Sequence, residues 1–182
     1  MIGKSLVGDD KVISLDLSGH LRRGLKGERF DLIEKTLLLI DRDLKQSNTV
    51  ISKDLDPRLP PAETDPAQLQ QVFLNILKNA LEAVGRGGII RVASRSESGS
   101  IWIRFQDNGC GISNEKLKDI FNPFFTTKPS GSGTGLGLSI CYNIMEKLKG
   151  TIEVESRRGE GSIFTVNIPL RWNGTKGERM FI

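Results

Sequence analysis

The stretch that most constrains the fold runs from Asp65 to Val84, "DPAQLQQVFLNILKNALEAV". Asp65 suits a helix N-cap. Pro66 suits the first helical position, where its missing N–H costs nothing, and Gln68 stands where a capping box wants it. At 100° per residue Leu69, Val72, Phe73, Ile76, Leu77, Ala80 and Val84 form one apolar face. The helix should run to about Val84 and stop at "GRGG".

Other elements flank it. "KVISLDLS" alternates as a strand does, and "GHLRRGLKGERF" is basic and broken by glycines. From Asp31 to about Lys45, Leu32, Ile33, Thr36, Leu37, Leu39, Ile40 and Leu44 repeat as in a helix. "TVISKDLDP" reads as a strand ending in turn chemistry, and "PRLPPAE" as a connector. "IIRVASRSE" and "SIWIRFQD" are strands separated by a short Ser/Gly turn. A short helix over 113–120 and a longer one from about Gly135 to Lys149 follow. "TIEVESR", "RGEG" and "SIFTVNIPL" make a closing hairpin, and "RWNGTKGERMFI" reads as a loose tail. The expected organisation is an N-terminal segment 1–30, a domain 31–170 and a tail 171–182.

Composition removes several function classes. The 182 residues suffice for one domain with a core. Lys and Arg outnumber Asp and Glu only 26 to 22, a weak argument for a polyanion partner. Aromatics are sparse and no basic stripe interleaves with them, so no nucleic-acid partner is expected. Cys110 and Cys141 lie far apart and the chain has one histidine, which argues against a zinc site. Two reduced thiols fit a cytoplasmic protein. No apolar run approaches the ~20 residues of a membrane span, and the N-terminus lacks a signal-peptide pattern. No membrane contact by this segment is expected, whatever anchors a longer parent.

Three stretches carry chemistry. Beside the apolar face of the 65–84 helix run Gln68, Gln71, Asn75, Asn79 and Glu82. Asparagine is a poor helix former and belongs at caps and turns. Two of them four apart are either a tolerated polar edge or neutral oxygen ligands facing a cation or phosphates; Mg²⁺ accepts such oxygens. "FQDNGCGI" delivers Asp107 to a strand end before a sharp Asn-Gly turn. It is either a plain turn or a carboxylate placed to accept from an exocyclic amine, with Gly109 and Gly111 letting the backbone approach a flat ring. "FNPFFTTKPSGSGTGLGLSI" ties a phenylalanine knot to a glycine loop and the loop to a helix start, where unpaired N–H groups attract anions. Its glycine spacing is not the dinucleotide fingerprint, and no Gly-Lys-Ser/Thr follows, so it is not a P-loop.

In this order the stretches are specific. "QQVFLNILKNALEA" resembles the N box of the Bergerat-fold (GHKL) ATPases, the superfamily of gyrase, the ninety-kilodalton heat-shock chaperone, sensor histidine kinases and mismatch-repair ATPases. "DNGCGI" resembles its G1 box, "GSGTGLGLSI" its G2 box, and "FNPFF" the F box particular to the kinases. The likeness covers roughly Asp31 to Leu170 and is greatest to sensor histidine kinases of the nitrogen-regulation type. It implies an α/β two-layer sandwich: a mixed, mainly antiparallel sheet with about three helices on one face. It implies ATP and Mg²⁺ as cofactors, with Asn79 on the metal and Asn75 beside it contacting metal or phosphate, both as catalytic positions. Asp107 would read the adenine amine, with Gly109 and Gly111 bordering the base. Gly133, Thr134, Gly135, Leu136 and Gly137 would line the triphosphate, with Lys128 supplying charge. Glu82, Ile112, Phe121 and Thr127 complete the implied nucleotide contacts. The phenylalanines would clamp the base of a lid, 122–134, to the core. Hydrolysing members carry a glutamate base where this chain has Asn75, so the site is expected to hold ATP for transfer to a protein.

Such a kinase needs a phosphoacceptor histidine, followed by an acidic residue, in a helical hairpin. His20 is followed by Leu21 and Arg22, and the stretch before Asp31 is too short for two helices. It resembles at most the exit from that hairpin. The resemblance therefore implies an ATP-binding catalytic domain whose partners are the hairpin domain of the same kinase and a response regulator. The alternatives are a free-standing serine kinase of the anti-sigma type and a nucleotide-binding module without catalysis.

Overall fold

The cap at Asp65 forms, though not in the expected way. A computed structural model describes residues 13–15, 32–128 and 133–170, and in it Asp65 Oδ1 accepts from the N–H groups of Ala67 (2.9 Å) and Gln68 (3.1 Å). The Gln68 amide donates to Asp65 Oδ2 at 2.8 Å. In a capping box that side chain would instead accept from the cap's own N–H. The helix spans Pro66–Val84 (α3) and ends at Gly85. Leu69, Val72, Phe73, Ile76, Leu77 and Ala80 are buried as the wheel requires, joined by Leu81, while Val84 is half-buried.

Strand β1 (Ile13–Leu15) precedes helices α1 (Leu32–Leu39) and α2 (Asp41–Ser47). Then come β2 (Val50–Leu55), β3 (Ala62–Thr64), α3, β4 (Ile89–Glu97), β5 (Ser100–Asp107), α4 (Asn114–Leu117), α5 (Gly137–Lys147), β6 (Thr151–Arg157) and β7 (Gly161–Pro169). Five strands form one sheet in the order β2-β4-β5-β7-β6. The β2–β4 pair is parallel and the other three pairs are antiparallel. The mixed, mainly antiparallel sandwich is as expected. Five helices occur among the described residues, where about three were expected.

Two expectations are corrected. The single helix over 31–45 is two helices broken at Ile40, whose N–H closes on the Leu37 carbonyl (3.2 Å) while its own carbonyl starts α2. Ile40 is fully buried at that corner, and Asp41 and Asp43 then fall in the first turn of α2, where acidic charge is favoured. Leu39, counted in the pattern, is exposed. "PRLPPAE" is not only a connector: β3 pairs antiparallel with β1, Ile13 facing Thr64. Two prolines had masked its buried–exposed–buried alternation.

Period-two alternation places the core. In β5 Ile101, Ile103 and Phe105 point inward and are buried, while Arg104 and Gln106 are exposed. Phe105 faces Val92 on β4 and Phe164 on β7. Its ring lies 5.3 Å from that of Phe73, which ties α3 to the sheet. No helix among the described residues is long and apolar enough to cross a membrane. His20, the tail 171–182 and residues 129–132 of the expected lid lie outside the described residues.

Candidate functional site

The alternation that buries Phe105 also buries Asp107, two residues on and on the same side of β5, leaving it 4% exposed. Its Oδ1 accepts from the Gly109 N–H at 2.8 Å. Burial pushes its carboxyl above the usual value of 3.8; hydrogen bonds from the Gly109 N–H and from the N–H and hydroxyl of Ser162 offset only part of that. Ser162 is its register partner on β7. The Ser162 hydroxyl lies 3.0 Å from that of Ser156, which accepts from the Ile112 N–H at 2.8 Å and donates to the Gly161 carbonyl at 2.8 Å. Ser156 and Ser162 had no motif to announce them, because only the pairing of β5, β7 and β6 brings them here. Asn108 closes the other side of the loop, its Oδ1 accepting from the Ile89 N–H.

The glycines of this loop have a reason within the chain itself. A Cβ on Gly109 would lie 2.5 Å from the Ala83 backbone, because the loop is laced to the end of α3; Cys110 N–H also donates to the Ala83 carbonyl (3.1 Å). Gly111 sits at φ +63°, and a Cβ there would overlap the Arg157 carbonyl oxygen. Both glycines admit another segment of the chain itself.

On α3 the two asparagines stand one turn apart and both are half-buried. The Asn75 amide donates to the Gly137 carbonyl at 3.2 Å, joining α3 to the first turn of α5. Glu82, exposed on the same stripe, pairs with Lys128. Lys128 thus meets a carboxylate, and its own N–H donates to Thr126 Oγ1 (3.1 Å); Thr127 is exposed. Gly133 lies close over the Lys128 stem.

The aromatic knot divides its labour. Phe121 and Phe125 are half-buried against the core, and the Phe121 ring lies 5.7 Å from Tyr142 of α5. Phe124 is 74% exposed at φ +66°. Its backbone fills the space where Gly135 would otherwise carry a Cβ. Two phenylalanines therefore grip the core, and the third meets the glycine loop through its main chain. Leu136 is the N-cap of α5 and supplies no side-chain cap; its N–H reaches Thr134 Oγ1 only at 3.4 Å. Among the described residues no side chain caps the first-turn N–H groups that follow.

The site joins a buried carboxylate, a stripe of amides and an uncapped helix start. The groove of about 620 Å³ lined by Arg91, Trp102 and Arg104 lies on the face of the sheet away from α3 and includes none of these residues.

Residues 64–171 match the family described as histidine kinase-, DNA gyrase B-, and HSP90-like ATPase. Sporulation kinase E of Bacillus subtilis is 40% identical over 143 residues, 78% of this chain and 19% of that protein. Sensor histidine kinase ZraS of Escherichia coli is 39% identical over 139 residues, 76% of this chain and 30% of that protein. The chain therefore spans less than a third of either relative. Among solved structures, the nucleotide-free catalytic domain of histidine kinase ThkA superposes with a TM-score of 0.70 at 33% identity, covering 77% of this chain and 91% of that one.

Proposed function

The chain belongs to the histidine kinase-, DNA gyrase B- and HSP90-like ATPase family, as a catalytic domain of the sensor histidine kinase type, and from that premise we propose that it binds ATP and passes the γ-phosphate to a histidine outside this chain. The observation that carries the reading is Asp107. A carboxylate buried at a strand end, in a loop laced to the amide-bearing helix, is costly to keep unless it serves a ligand. Its acceptor oxygens suit the exocyclic amine of adenine.

The remaining residues fit the rest of ATP. The uncapped start of α5 offers N–H groups and a helix dipole to phosphates. Among the described residues no three His, Cys, Asp or Glu side chains cluster to hold a metal. Mg²⁺ suits the donor set that is present: the Asn79 amide oxygen, completed by phosphate oxygens and water. When bound, it supplies charge neutralisation to the phosphates. Asn75 cannot act as a base, and its amide is engaged with Gly137. Transfer to histidine needs none on this chain, because a neutral imidazole nitrogen already carries a lone pair. It attacks the γ-phosphorus, the bond to the β–γ bridging oxygen breaks, and ADP leaves.

The acceptor would lie in a hairpin domain of the same kinase. A response regulator is the next acceptor, as the solved complex of ThkA with the response regulator TrrA suggests by likeness. A domain that consumes ATP belongs in the cytoplasm, whatever anchors its parent. The test is to incubate the chain with γ-labelled ATP and a dimeric histidine hairpin, then treat the product with acid. Acid-labile label on the hairpin is expected. Acid-stable label on a partner protein would move the assignment to a serine kinase, and no transfer despite ATP binding would leave a nucleotide-binding module.

A further inference from the structure

Asn75 stands one helical turn before Asn79, but its side chain turns toward α5. Nδ2 donates to the Gly137 carbonyl at 3.2 Å, in the first turn of that helix. Within a helix this carbonyl is due to accept from the N–H four residues on, and a carbonyl oxygen has a second lone pair to offer. The same amide reaches the Cys141 thiol one turn further along, and Cys141 Sγ–H donates to the Val72 carbonyl at 3.7 Å. Burial pushes that thiol up to about 12, so it stays neutral and acts as packing. Val72, Asn75, Gly137 and Cys141 therefore form a seam between the helix that carries Asn79 and the helix whose start is uncapped.

The geometry points to Asn75 as a positioning residue that pins the first turn of α5 to α3, so that the phosphate-facing N–H groups are held in place before any metal or nucleotide arrives. The inference rests on the nucleotide reading above and gives Asn75 a role distinct from metal ligation. The bond has an electronic side as well. A donor on the Gly137 oxygen polarises the Gly137–Leu138 peptide group and makes the Leu138 N–H a stronger donor. Asn75 acts through that peptide, on the phosphate side of the site, and leaves the adenine side at Asp107 untouched.

A metal ligand and a positioning residue predict different ligand dependences. Calorimetry would compare ADP and adenosine, with Mg²⁺ and with chelator, on the wild type and on Asn75→Leu, which keeps the volume and removes the donor. A fivefold or greater loss of ADP affinity in both buffers is expected, with adenosine affinity unchanged. Amide exchange at Leu138 and Ser139, followed by NMR, should quicken. Asn75→His, which restores an N–H donor, should recover part of the ADP affinity in chelator. A loss confined to the Mg²⁺ buffer, or equal losses for adenosine and ADP, would overturn the inference. If Asn75→Leu does not fold, Asn75→Ala, which removes the donor without adding charge, carries the same comparison: an ADP loss in chelator supports the role, and an effect seen only with Mg²⁺ removes it. A wild type that binds neither ligand would sink the nucleotide reading and this inference with it.

Discussion

Asp107 ends a strand whose alternation leaves it facing the core, and its chemistry follows from that parity. Its folded value is raised, so its contribution to apo stability is full below the unfolded value of 3.8 and is lost as pH rises through the folded value. Once ionised, the group burdens the empty protein. Asp107→Asn keeps an oxygen for the Gly109 N–H and removes the charge. Its urea midpoint at pH 7 should equal or exceed that of the wild type. ADP affinity should nevertheless fall at least about tenfold, since a hydrogen bond to a charged group is worth ~1.5–3 kcal/mol. Unchanged ADP affinity in calorimetry would remove Asp107 from the site. An amine donor favours the ionised carboxyl, so wild-type ADP affinity should also weaken as pH falls through the raised value, and the Asn variant should lack that dependence. Asn79→Ala should cost mainly the Mg²⁺-dependent part of binding; equal losses with and without the metal would contradict its role. The Lys128–Glu82 pair is partly exposed and worth ~1 kcal/mol or less, so its break by a competing phosphate costs little.

At the scale of elements, α3 is the hub: it packs on α1 and α5, meets the sheet through Phe73, and laces the Asp107 loop at Ala83. Phe73→Ala removes a fully buried ring and should cost ~3–5 kcal/mol of unfolding free energy in urea titration. A cost under about 1 kcal/mol would mean that the core closes over the gap. The cap is a smaller lever. Asp65→Ala should cost ~1 kcal/mol. Burial acts to raise the Asp65 carboxyl, but hydrogen bonds from the Gln68 N–H, the Gln68 amide and the Ala67 N–H together hold it below 3.8. Its contribution is therefore present above 3.8 and lost as pH falls through the lower folded value. The Asp65→Ala deficit, measured by denaturation at a series of pH values, should shrink on acidification below that point.

The whole chain should bind ATP yet not label itself, because His20 lacks the following acidic residue of a phosphoacceptor. Turnover of ATP by the chain alone should be very slow, and radiolabel should appear on an added hairpin in trans. Strong self-labelling that vanishes in His20→Ala would make His20 the acceptor. Much of this molecule was legible along the chain. The α3 face and cap, the strand pairs 89–97 and 100–107, the closing hairpin and the order of the glycine boxes are set by residues within a few positions of one another. Periodicity and turn chemistry therefore declare them. The break at Ile40 and strand β3 were not legible: a buried corner looks like a continuing helical period, and a strand of three residues is too short to show alternation. The reasons for the site's residues were also out of reach. Gly111 is glycine because Arg157 crosses it, Asp107 is held by Ser162, Asn75 turns to Gly137, and Lys128 meets Glu82. Each of these joins segments far apart in sequence. The period of a strand or helix tells which face a residue takes; only sheet register and the crossing of α3 on α5 decide which partner waits there.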